Sequence, residues 1–359
     1  MSSSVPPSPG PDLRGELLGR RYRLDELIGW GGMASVYAAA DLHLGRRVAV
    51  KVIHPEHART EMQRRRILQE ATLGARLDHP NTMLVFDLGE EEGPHRERWI
   101  YLTMPLVKGG NLRHVLLDGP VAWRRAVEFA RQLLAGLAAL HRAGALHRDV
   151  KPENCLMSRI DGREHLRLGD LGLAKAAPGL LSLAPVSVSG ALLGTHTYLS
   201  PEQARGLALD ERSDLYSAAV VLFELLTSQP PFSGGYLDLL NAHVSAEPPS
   251  PRVLAPLAGI PASIEAAVLR ALEKNPADRY ATAEQFVAAL GAAASAQSLE
   301  DGVEGACSTA HAGCEAAQAS LAAWTRFEYE LAHGEATRAA RLNPAWSPLR
   351  LMMDGLADG

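Results

Sequence analysis

The hydrophobic pattern of the chain changes its period near Gly109-Gly110, and this change limits the folds that it can adopt. Before that point, short β-rich runs are separated by glycine-containing turns, which predicts a small antiparallel sheet from Tyr22–Ile28, Val36–Ala40, Val48–Ile53 and Trp99–Leu106. After it, apolar residues recur at helical spacing in Trp123–Arg142, Ser213–Ser228 and Ile264–Glu273. We therefore expect an α+β fold with two lobes, a small sheet lobe followed by a larger, mainly helical lobe.

One helix and one hairpin interrupt this order. The segment Glu61–Leu77 carries apolar residues on one side and charged residues on the other, which predicts a helix that packs on the sheet. In the helical lobe, an Asp-Gly dipeptide of the kind favoured in tight turns joins two strand-like segments, Asn154–Ser158 and His165–Gly169. Such a hairpin brings Asn154 and Asp170 close together.

The two ends of the chain differ in composition from its centre. Residues 1–21 begin with Ser, Pro and Gly and have too little apolar content there to offset the entropy of ordering, so we expect a disordered tail. Residues 22–290 hold the patterns above and form the expected main domain. Residues 291–359 are rich in alanine and predict a short helical tail of unknown role, with an apolar stripe at 321–331 and a linker-like start at 291–298.

Charge and cysteine content exclude several classes of protein. The formal net charge is −5, so the chain lacks the basic excess of a nucleic-acid-binding protein, and no nucleic acid partner is expected. Three cysteines are too few to cross-link a chain of 359 residues, and no apolar run is long enough to span a bilayer. The start of the chain also lacks the pattern of a signal peptide. A reduced, cytoplasmic setting is predicted.

A glycine-rich segment lies between two of the predicted strands. In IGWGGMASVY, at 28–37, glycines let backbone N–H groups approach phosphate oxygens because no Cβ stands in the way. The segment matches a dinucleotide-binding loop poorly, since Ala34 replaces the third glycine and no helix opens directly after it. Its position between strands favours a flap over ATP.

A lysine on an apolar strand is the next candidate. Lys51 ends VAVK at 48–51, and in such surroundings its ammonium group needs an anionic partner. Glu70 is the acid nearest the apolar edge of the predicted helix, although it also fits an ordinary surface glutamate. Two further motifs, HRDVKPEN at 147–154 and GDLG at 169–172, follow in order. Several independent motifs in one order favour a functional set.

In these motifs and their order, residues of about 22–290 resemble a eukaryotic-like (Hanks-type) protein kinase, and specifically a bacterial serine/threonine kinase. The bacterial character comes from GGMASVY, from DLG in place of DFG, from GTHTYLSPEQARG at 194–206 and from DERSDLYS at 210–217. The resemblance implies the bilobal protein-kinase fold. It also implies transfer of the γ-phosphoryl group of Mg-ATP to serine or threonine hydroxyls of proteins, including autophosphorylation.

The resemblance implies catalytic roles for five residues. Asp149 would orient the acceptor hydroxyl and accept its proton, and Lys151 would steady the transferring phosphoryl group. Thr195 would bridge these two side chains. Lys51, held by Glu70, would contact the α- and β-phosphates.

The resemblance also implies the cofactors ATP and Mg²⁺. Asn154 and Asp170 would ligate magnesium through the hard oxygen atoms that this ion prefers. Pro105 stands where the family usually has an acidic hinge residue, and it keeps the backbone C=O that the position contributes. The implied ATP-binding residues are Ile28, Gly29, Gly31, Gly32, Val36, Ala49, Lys51, Met104, Pro105, Val107 and Leu156.

Regulation is implied through the activation segment, residues 170–202. Arg148, directly before the catalytic aspartate, would read the phosphorylation state of this segment through bidentate contacts. The candidate phosphorylation sites are Ser182, Ser187 and Ser189, with Thr195 and Thr197 as alternatives. At the end of the segment, Glu202 is expected to form a buried ion pair with Arg279.

Two functions remain open at this point. An active kinase would take ATP and proteins with Ser or Thr acceptors as partners, with a homodimer for trans-autophosphorylation. The alternative is a pseudokinase-type scaffold that binds nucleotide and acts through its C-terminal tail. Because the implied catalytic residues are all present, the sequence favours the active kinase.

Overall fold

The computed structural model describes residues 12–92, 98–119, 121–170, 196–307 and 336–337, without the side chains of residues 66, 70, 73 and 297–307. The strands are β1 Leu17–Leu18, β2 Tyr22–Trp30, β3 Ala34–Asp41, β4 Arg46–Ile53, β5 Asp87–Glu92, β6 Arg98–Pro105, β7 Cys155–Ile160 and β8 Arg163–Leu168. The helices are α1 Glu61–Arg76, α2 Leu112–Leu117, α3 Trp123–Arg142, α4 Pro201–Ala204, α5 Glu211–Thr227, α6 Tyr236–Ser245, α7 Pro251–Leu254, α8 Ala262–Ala271 and α9 Ala283–Cys307.

The first lobe is an antiparallel sheet with the strand order β1-β2-β3-β4-β6-β5. One face of this sheet buries a cluster that includes Tyr22, Leu24, Tyr37 and Trp99. Side chains alternate between the two faces along each strand, so the neighbours of these residues point to the opposite face. That second face carries Lys51.

Helix α1 covers part of the second face, as predicted. Its buried residues Ile67 and Ala71 pack with Ile53, Ile100 and Leu102 of the sheet. The helix begins with a capping box, in which the side chain at position 60 accepts from the backbone N–H at position 63 and the reciprocal bond is also present. Local capping and the apolar stripe therefore act together to place α1.

The ordered part of the fold begins earlier than the predicted end of the disordered tail at residue 21. Leu17 and Leu18 pair with β2, and Leu13 and Leu18 are buried in the same cluster as Tyr22. The Leu13 N–H also donates to the Tyr37 hydroxyl at 3.3 Å. Burial of these two leucines offsets the conformational entropy that this part of the segment loses when it is ordered. Residues 1–11 of the predicted tail lie outside the described residues.

The second lobe is built around α5. Every residue from Ser213 to Thr227 is buried, which explains why this helix has no polar face. The hairpin of β7 and β8 is joined by Asp161 and Gly162, with φ values of 49° and 77°, the conformation that an Asp-Gly turn adopts most readily. The predicted hairpin is therefore present, with slightly longer strands.

Helix α9 departs from the prediction. It runs without interruption from Ala283 to Cys307, so the linker expected at 291–298 is helical. Alanine has the highest intrinsic helix propensity, so this segment of small residues continues the helix although its composition is also that of a linker. The stripe at 321–331 lies outside the described residues.

Two compact units divide the chain: residues up to Ala258 together with Val268–Val287, and Gly259–Ala267 together with the residues from Ala288 onward. The sheet lobe, the β7-β8 hairpin and α5 belong to the first unit. Within the second unit, the Ser263 hydroxyl donates to the Ala293 C=O at 3.2 Å. In the described ranges, no helix is long and apolar enough to cross a bilayer.

Strand β1 offers a matched test of the fold, because Leu18 is 6% exposed and its neighbour Leu17 is 44% exposed. We expect Leu18→Ala to lower the free energy of unfolding by about 2–3 kcal/mol, because it opens a cavity in the core. Leu17→Ala should change it by less than about 0.5 kcal/mol. Urea denaturation of both variants measures the difference, and equal effects would show that β1 does not pack as described.

Candidate active site

The loop that carries HRDVKPEN is held by a buried carboxylate. Asp214, on α5, accepts the backbone N–H of His147 at 2.8 Å and that of Arg148 at 2.8 Å, one on each carboxylate oxygen. Its Oδ2 also contacts His141 Nε2 at 2.9 Å. Arg148 has a φ of +64°, a conformation that non-glycine residues rarely adopt. The hydrogen bonds to Asp214 therefore hold a strained turn directly before Asp149.

His147 connects this loop to the DLG motif. Its ring is fully buried, Nδ1 accepts the Asp149 N–H at 3.3 Å, and Nε2 lies 2.9 Å from the Gly169 C=O. Because Nδ1 accepts, Nε2 carries the ring proton and donates to Gly169. The Gly169 N–H in turn donates to the Asn154 C=O at 2.8 Å. These bonds place residue 170 beside the catalytic loop.

Three predicted catalytic and metal-binding residues cluster on the loop itself. Lys151 Nζ lies 2.9 Å from Asp149 Oδ2. The Asn154 side-chain amide donates to the Asp149 backbone C=O at 2.7 Å and to Asp149 Oδ2 at 3.3 Å. The orientation of the Asp149 carboxylate is therefore fixed by two neighbours on its own loop.

Lys51 joins the sheet lobe to this loop. Its Nζ lies 2.7 Å from Asp170 Oδ1, and the lysine is 9% exposed. Desolvation acts to raise the pKa of Asp170, but the charge of Lys51 and the hydrogen bond from Lys51 together hold that pKa below its ordinary value. Asp170 has a φ of +51°, so the second metal-binding candidate also sits on a strained backbone. The side chain of Glu70, on α1, lies outside the described part, and its contact with Lys51 stays a prediction.

The residues expected around adenine share one face of the sheet. Val36 pairs directly with Lys51, and Ala49 pairs directly with Met104, so these four side chains point to the same side. Leu156, on β7, forms a bridge with the residue that precedes α2. The sheet face and β7 therefore supply the predicted apolar surfaces, and the hinge follows directly from β6, which ends at Pro105.

The glycine-rich turn is tied to the segment that precedes α1. Gly31 N–H donates to the Ala34 C=O at 2.9 Å and closes the turn between β2 and β3. The His54 N–H donates to the Met33 C=O at 2.8 Å, and His57 Nε2 lies 2.8 Å from the Gly32 C=O. The turn is therefore held by the Gly31 N–H and by the carbonyl oxygens of Gly32 and Met33.

The predicted ion pair of Glu202 and Arg279 is present. The two side chains form a bidentate pair with N···O distances of 2.8 and 2.9 Å, and both are almost fully buried. Arg279 also donates to three backbone carbonyls, and the Ser213 hydroxyl donates to Glu202 at 2.6 Å. Because all the polar groups of the pair have partners, it can anchor the segment around α4.

Several predicted residues cannot be placed. Thr195 and the candidate phosphorylation sites Ser182, Ser187 and Ser189 lie outside the described residues. Arg148 is described, and its backbone C=O accepts from Gln203 Nε2 at 2.9 Å. The segment that starts at residue 196 therefore lies against the catalytic loop, while the regulatory roles stay predictions.

Asp214 is the residue that the sequence argument missed. The sequence analysis used DERSDLYS only as a family string, and Asp214 lies within it in the first turn of α5, directly after Glu211, Arg212 and Ser213. Acidic residues are common in the first turn of a helix, because they interact favourably with the helix dipole. The sequence alone therefore gave no sign that this carboxylate is buried and holds the catalytic loop.

Comparison with known proteins agrees with this geometry. The chain belongs to the protein kinase domain family, whose model matches residues 22–289. It is similar to serine/threonine-protein kinase PknB of Mycolicibacterium smegmatis, with 41% identity over 277 residues, and to PrkC of Bacillus subtilis, with 36% identity over 291 residues. These matches cover 76% and 80% of this chain but only 43% of each relative. The resemblance to eukaryotic-like serine/threonine kinases is confirmed at the level of the family.

The fold agrees with this assignment. The structure is similar to the crystal structure of the Mycobacterium tuberculosis PknI kinase domain, with a TM-score of 0.58 and 25% sequence identity. The match covers 79% of this chain and 98% of that one. The predicted α+β, bilobal kinase fold is therefore confirmed. Members of this family use ATP together with a divalent metal ion.

The ion pair of Glu202 and Arg279 predicts an acid-dependent stability. Burial acts to raise the pKa of Glu202, but hydrogen bonds from Arg279 and Ser213 and the charge of Arg279 together hold the pKa below its ordinary value of 4.5. The stability that the charged Glu202 contributes to the folded state is therefore fully present above pH 4.5. It is lost as the pH falls through the lower pKa that Glu202 has in the folded protein. Glu202→Gln should be less stable than wild type by about 3 kcal/mol at neutral pH.

This difference in stability should shrink as the pH falls below 4.5, because wild type then loses the charge that the variant already lacks. Urea denaturation of both proteins at neutral and at acidic pH measures it. A difference that stays constant across this range would show that the carboxylate does not act through its charge.

Proposed function

We propose that the chain is an active serine/threonine protein kinase that transfers the γ-phosphoryl group of Mg-ATP to serine or threonine hydroxyls of proteins. The observation that carries the proposal is the convergence of the charged residues of three distant motifs. Lys51 contacts Asp170 at 2.7 Å, and two hydrogen bonds, one from the His147 ring and one between backbone groups, join residue 169 to the loop that holds Asp149 and Lys151. This is the set of charges that phosphoryl transfer requires.

Asp149 is proposed to act on the acceptor. Its carboxylate would accept the proton of the attacking hydroxyl as the new oxygen–phosphorus bond forms and the bond from the γ-phosphorus to the β-γ bridging oxygen breaks. Asn154 and Lys151 hold this carboxylate through contacts of 3.3 and 2.9 Å. The ammonium group of Lys151, beside this carboxylate, is proposed to contact the transferring phosphoryl group. Thr195 is proposed to bridge both residues.

Lys51 is proposed to bind the α- and β-phosphates. A nearly buried ammonium group needs an anionic partner, and Asp170 supplies one in the present structure. A bound nucleotide would add phosphate oxygens to the same cation. Glu70 is proposed to hold Lys51 from the side of α1.

The oxygen donors next to this pair fit a magnesium ion. Asp170 offers a carboxylate whose side chain is 50% exposed, and the lowered pKa of this carboxyl keeps it ionised. The side-chain nitrogen of Asn154 is committed to Asp149, which leaves its amide oxygen for a ligand. Magnesium bound by these two residues would neutralise charge on the β- and γ-phosphates.

The family and the residues present support an active enzyme. Lys51, Asp149, Asn154 and Asp170 are all present and contact one another in two groups, which supports the active enzyme over the pseudokinase alternative. Proteins with Ser or Thr acceptors and a homodimer for trans-autophosphorylation remain proposed partners.

Lys51→Met and Asp149→Ala test the activity. We expect each variant to fold with a melting temperature close to that of wild type, because neither side chain belongs to an apolar core cluster. Transfer of labelled phosphate from ATP to the chain itself should fall by about 10³-fold or more in each variant, because each loses charge positioning for transfer.

Asp161→Asn is the matched control for these variants. Asp161 is exposed in the β7-β8 turn at a φ of 49°, which asparagine also tolerates. The Asp161→Asn variant should transfer phosphate at the same rate as wild type. Full activity in both Lys51→Met and Asp149→Ala would overturn the proposal.

The glycine-rich turn gives a second test. A Cβ at Gly31 or Gly32 would meet no heavy atom within 4 Å, and neither residue has a positive φ, so the fold does not require glycine there. Close approach of a phosphate would require it. We expect Gly32→Ala to keep the melting temperature and to raise KM for ATP by about tenfold.

Gly109→Ala serves as the contrasting variant, because its Cβ would lie 2.2 Å from the Met157 carbonyl oxygen. This variant should lose stability. Thermal unfolding and initial rates at varied ATP concentration separate the two effects. Unchanged KM for ATP in Gly32→Ala would contradict the proposed phosphate contact.

A further inference from the structure

A cavity of about 900 Å³ lies beside the hinge, outside the residues assigned to phosphoryl transfer. Its walls come from residues 78–84 between α1 and β5, from residues 105–109 at the end of β6, and from the β7-β8 hairpin. None of the described catalytic or metal-binding candidates lines it, and of the proposed ATP-binding residues only Pro105 and Val107 do. The cavity is therefore separate from the site of the chemistry, and nothing in the proposed function uses it.

Hydrogen bonds join the walls of this cavity to one another. The Leu168 N–H donates to the Asn81 C=O at 2.9 Å, and the Met83 N–H donates to the Leu168 C=O at 2.9 Å. The Met157 N–H donates to the Gly110 C=O at 2.9 Å, directly after the wall at 105–109. Because the hairpin is bonded to both of the other walls, the cavity has its shape before any ligand enters, which lowers the entropic cost of binding.

Part of the lining is apolar. Met157 is 5% exposed, and Leu84 is 37% exposed at the edge of the cavity. Between these two extremes, three further apolar residues of the lining are half-buried, namely Leu106, Val107 and Val115. Such a surface can take one or two apolar side chains of a bound segment, and an apolar pocket of this kind gives a peptide site much of its selectivity.

Three cations line the same cavity, and none of them forms an ion pair with a described residue. Lys108 follows the hinge, Arg159 lies on β7 and Arg167 lies on β8. Arg167 Nη1 donates to the Ser158 hydroxyl at 3.0 Å, which leaves the charge of the guanidinium group unpaired. Lys108 and Arg159 are exposed. Cations beside an apolar surface attract a carboxylate more strongly than cations in open water do.

The acids of the lining do not balance this charge. Glu164 accepts two hydrogen bonds from Arg125, at 2.8 and 2.7 Å. These bonds are the largest cause that holds the pKa of Glu164 below its ordinary value, and the charge of Arg159 contributes less. Asp78 is the other acid of the lining, and it is exposed. Burial is the main cause that lowers the pKa of His79, so this ring is neutral at neutral pH. The lining therefore keeps an excess of positive charge.

We propose that this cavity is a docking groove for an acidic peptide segment of a partner protein. An apolar side chain of the segment would enter the apolar part of the lining, and its carboxylates would meet Lys108, Arg159 and Arg167. The inference goes beyond the proposed function, because binding in the groove needs neither ATP nor phosphoryl transfer. In an active kinase, such docking would raise the effective concentration of an acceptor protein near Asp149.

A peptide fits this groove better than a nucleic acid does. Nucleic acids bind mainly through phosphates, which would use the cations but would gain nothing from the apolar lining. The chain as a whole has a formal net charge of −5, so the positive charge is local to the groove and does not form an extended basic surface.

Direct binding to the full chain tests the proposal, with the fluorescein-labelled peptide Asp-Glu-Asp-Leu-Leu-Asp-Glu-Asp as the probe and no ATP. We expect saturable binding by fluorescence anisotropy. Arg159→Glu and Lys108→Glu should each raise Kd by about tenfold, because each replaces an attraction with a repulsion. A peptide with Ser in place of both Leu residues should bind about tenfold more weakly, because it loses the apolar contact.

Arg163→Glu is the matched control. Arg163 is exposed on the same hairpin but does not line the cavity, so the same change of charge there should alter Kd by less than about threefold at physiological salt. Because Lys108, Arg159 and Arg163 are all exposed, the three variants should melt at the temperature of wild type.

Three results would overturn the inference. The first is the absence of saturable binding to wild type. The second is an equal rise of Kd in Arg159→Glu and Arg163→Glu, which would show attraction to the overall charge of the hairpin. The third is equal competition by a single-stranded DNA oligonucleotide or by the Ser-containing peptide, which would show a site for any polyanion. Since the assay contains no ATP, a failure of the proposed kinase function would leave its outcome unchanged, and a failure to bind would leave the kinase function intact.

Discussion

The arrangement of the site depends on one buried carboxylate, that of Asp214. The turn before Asp149 directs two backbone N–H groups into the protein, where water cannot satisfy them, and a buried amide without a partner is costly. Asp214 accepts both at 2.8 Å, and it lies on α5, whose residues are buried from Ser213 to Thr227. Because the helix cannot shift without disrupting the core, the loop that it holds is fixed as well.

One side-chain bond and one backbone bond join the two motifs of the helical lobe. The His147 ring donates to the Gly169 C=O, and the Gly169 N–H donates to the Asn154 C=O. Lys151 and Asn154 contact the carboxylate of Asp149, and Lys51 contacts that of Asp170. Under the proposed function, phosphates and a metal ion would replace some of these contacts.

Two charge pairs hold the chain around Tyr198 and α4. Arg279 pairs with Glu202 on α4, and both side chains are almost fully buried. Arg113 is partly exposed where it pairs with the buried Glu224 behind Tyr198. Buried ion pairs contribute little net stability, because desolvation offsets most of their attraction, but breaking one is costly. In this chain the two pairs favour one arrangement of the residues around α4 over others.

The sequence by itself determined the class of protein and the elements with strong local signals, and it supplied the candidate site residues. The predicted α3 agrees with the observed Trp123–Arg142, and the Asp-Gly turn forms the β7-β8 hairpin, because periodicity and turn chemistry act within a few residues. Tertiary structure decided the rest. Strand β5, with its acidic sequence DLGEEE, has weak strand propensity and forms by pairing with β6. Lys51 meets Asp170 across 119 residues, and Asp214 meets Arg148 across 66, so these contacts exist only once the lobes have folded, and no local pattern specifies them.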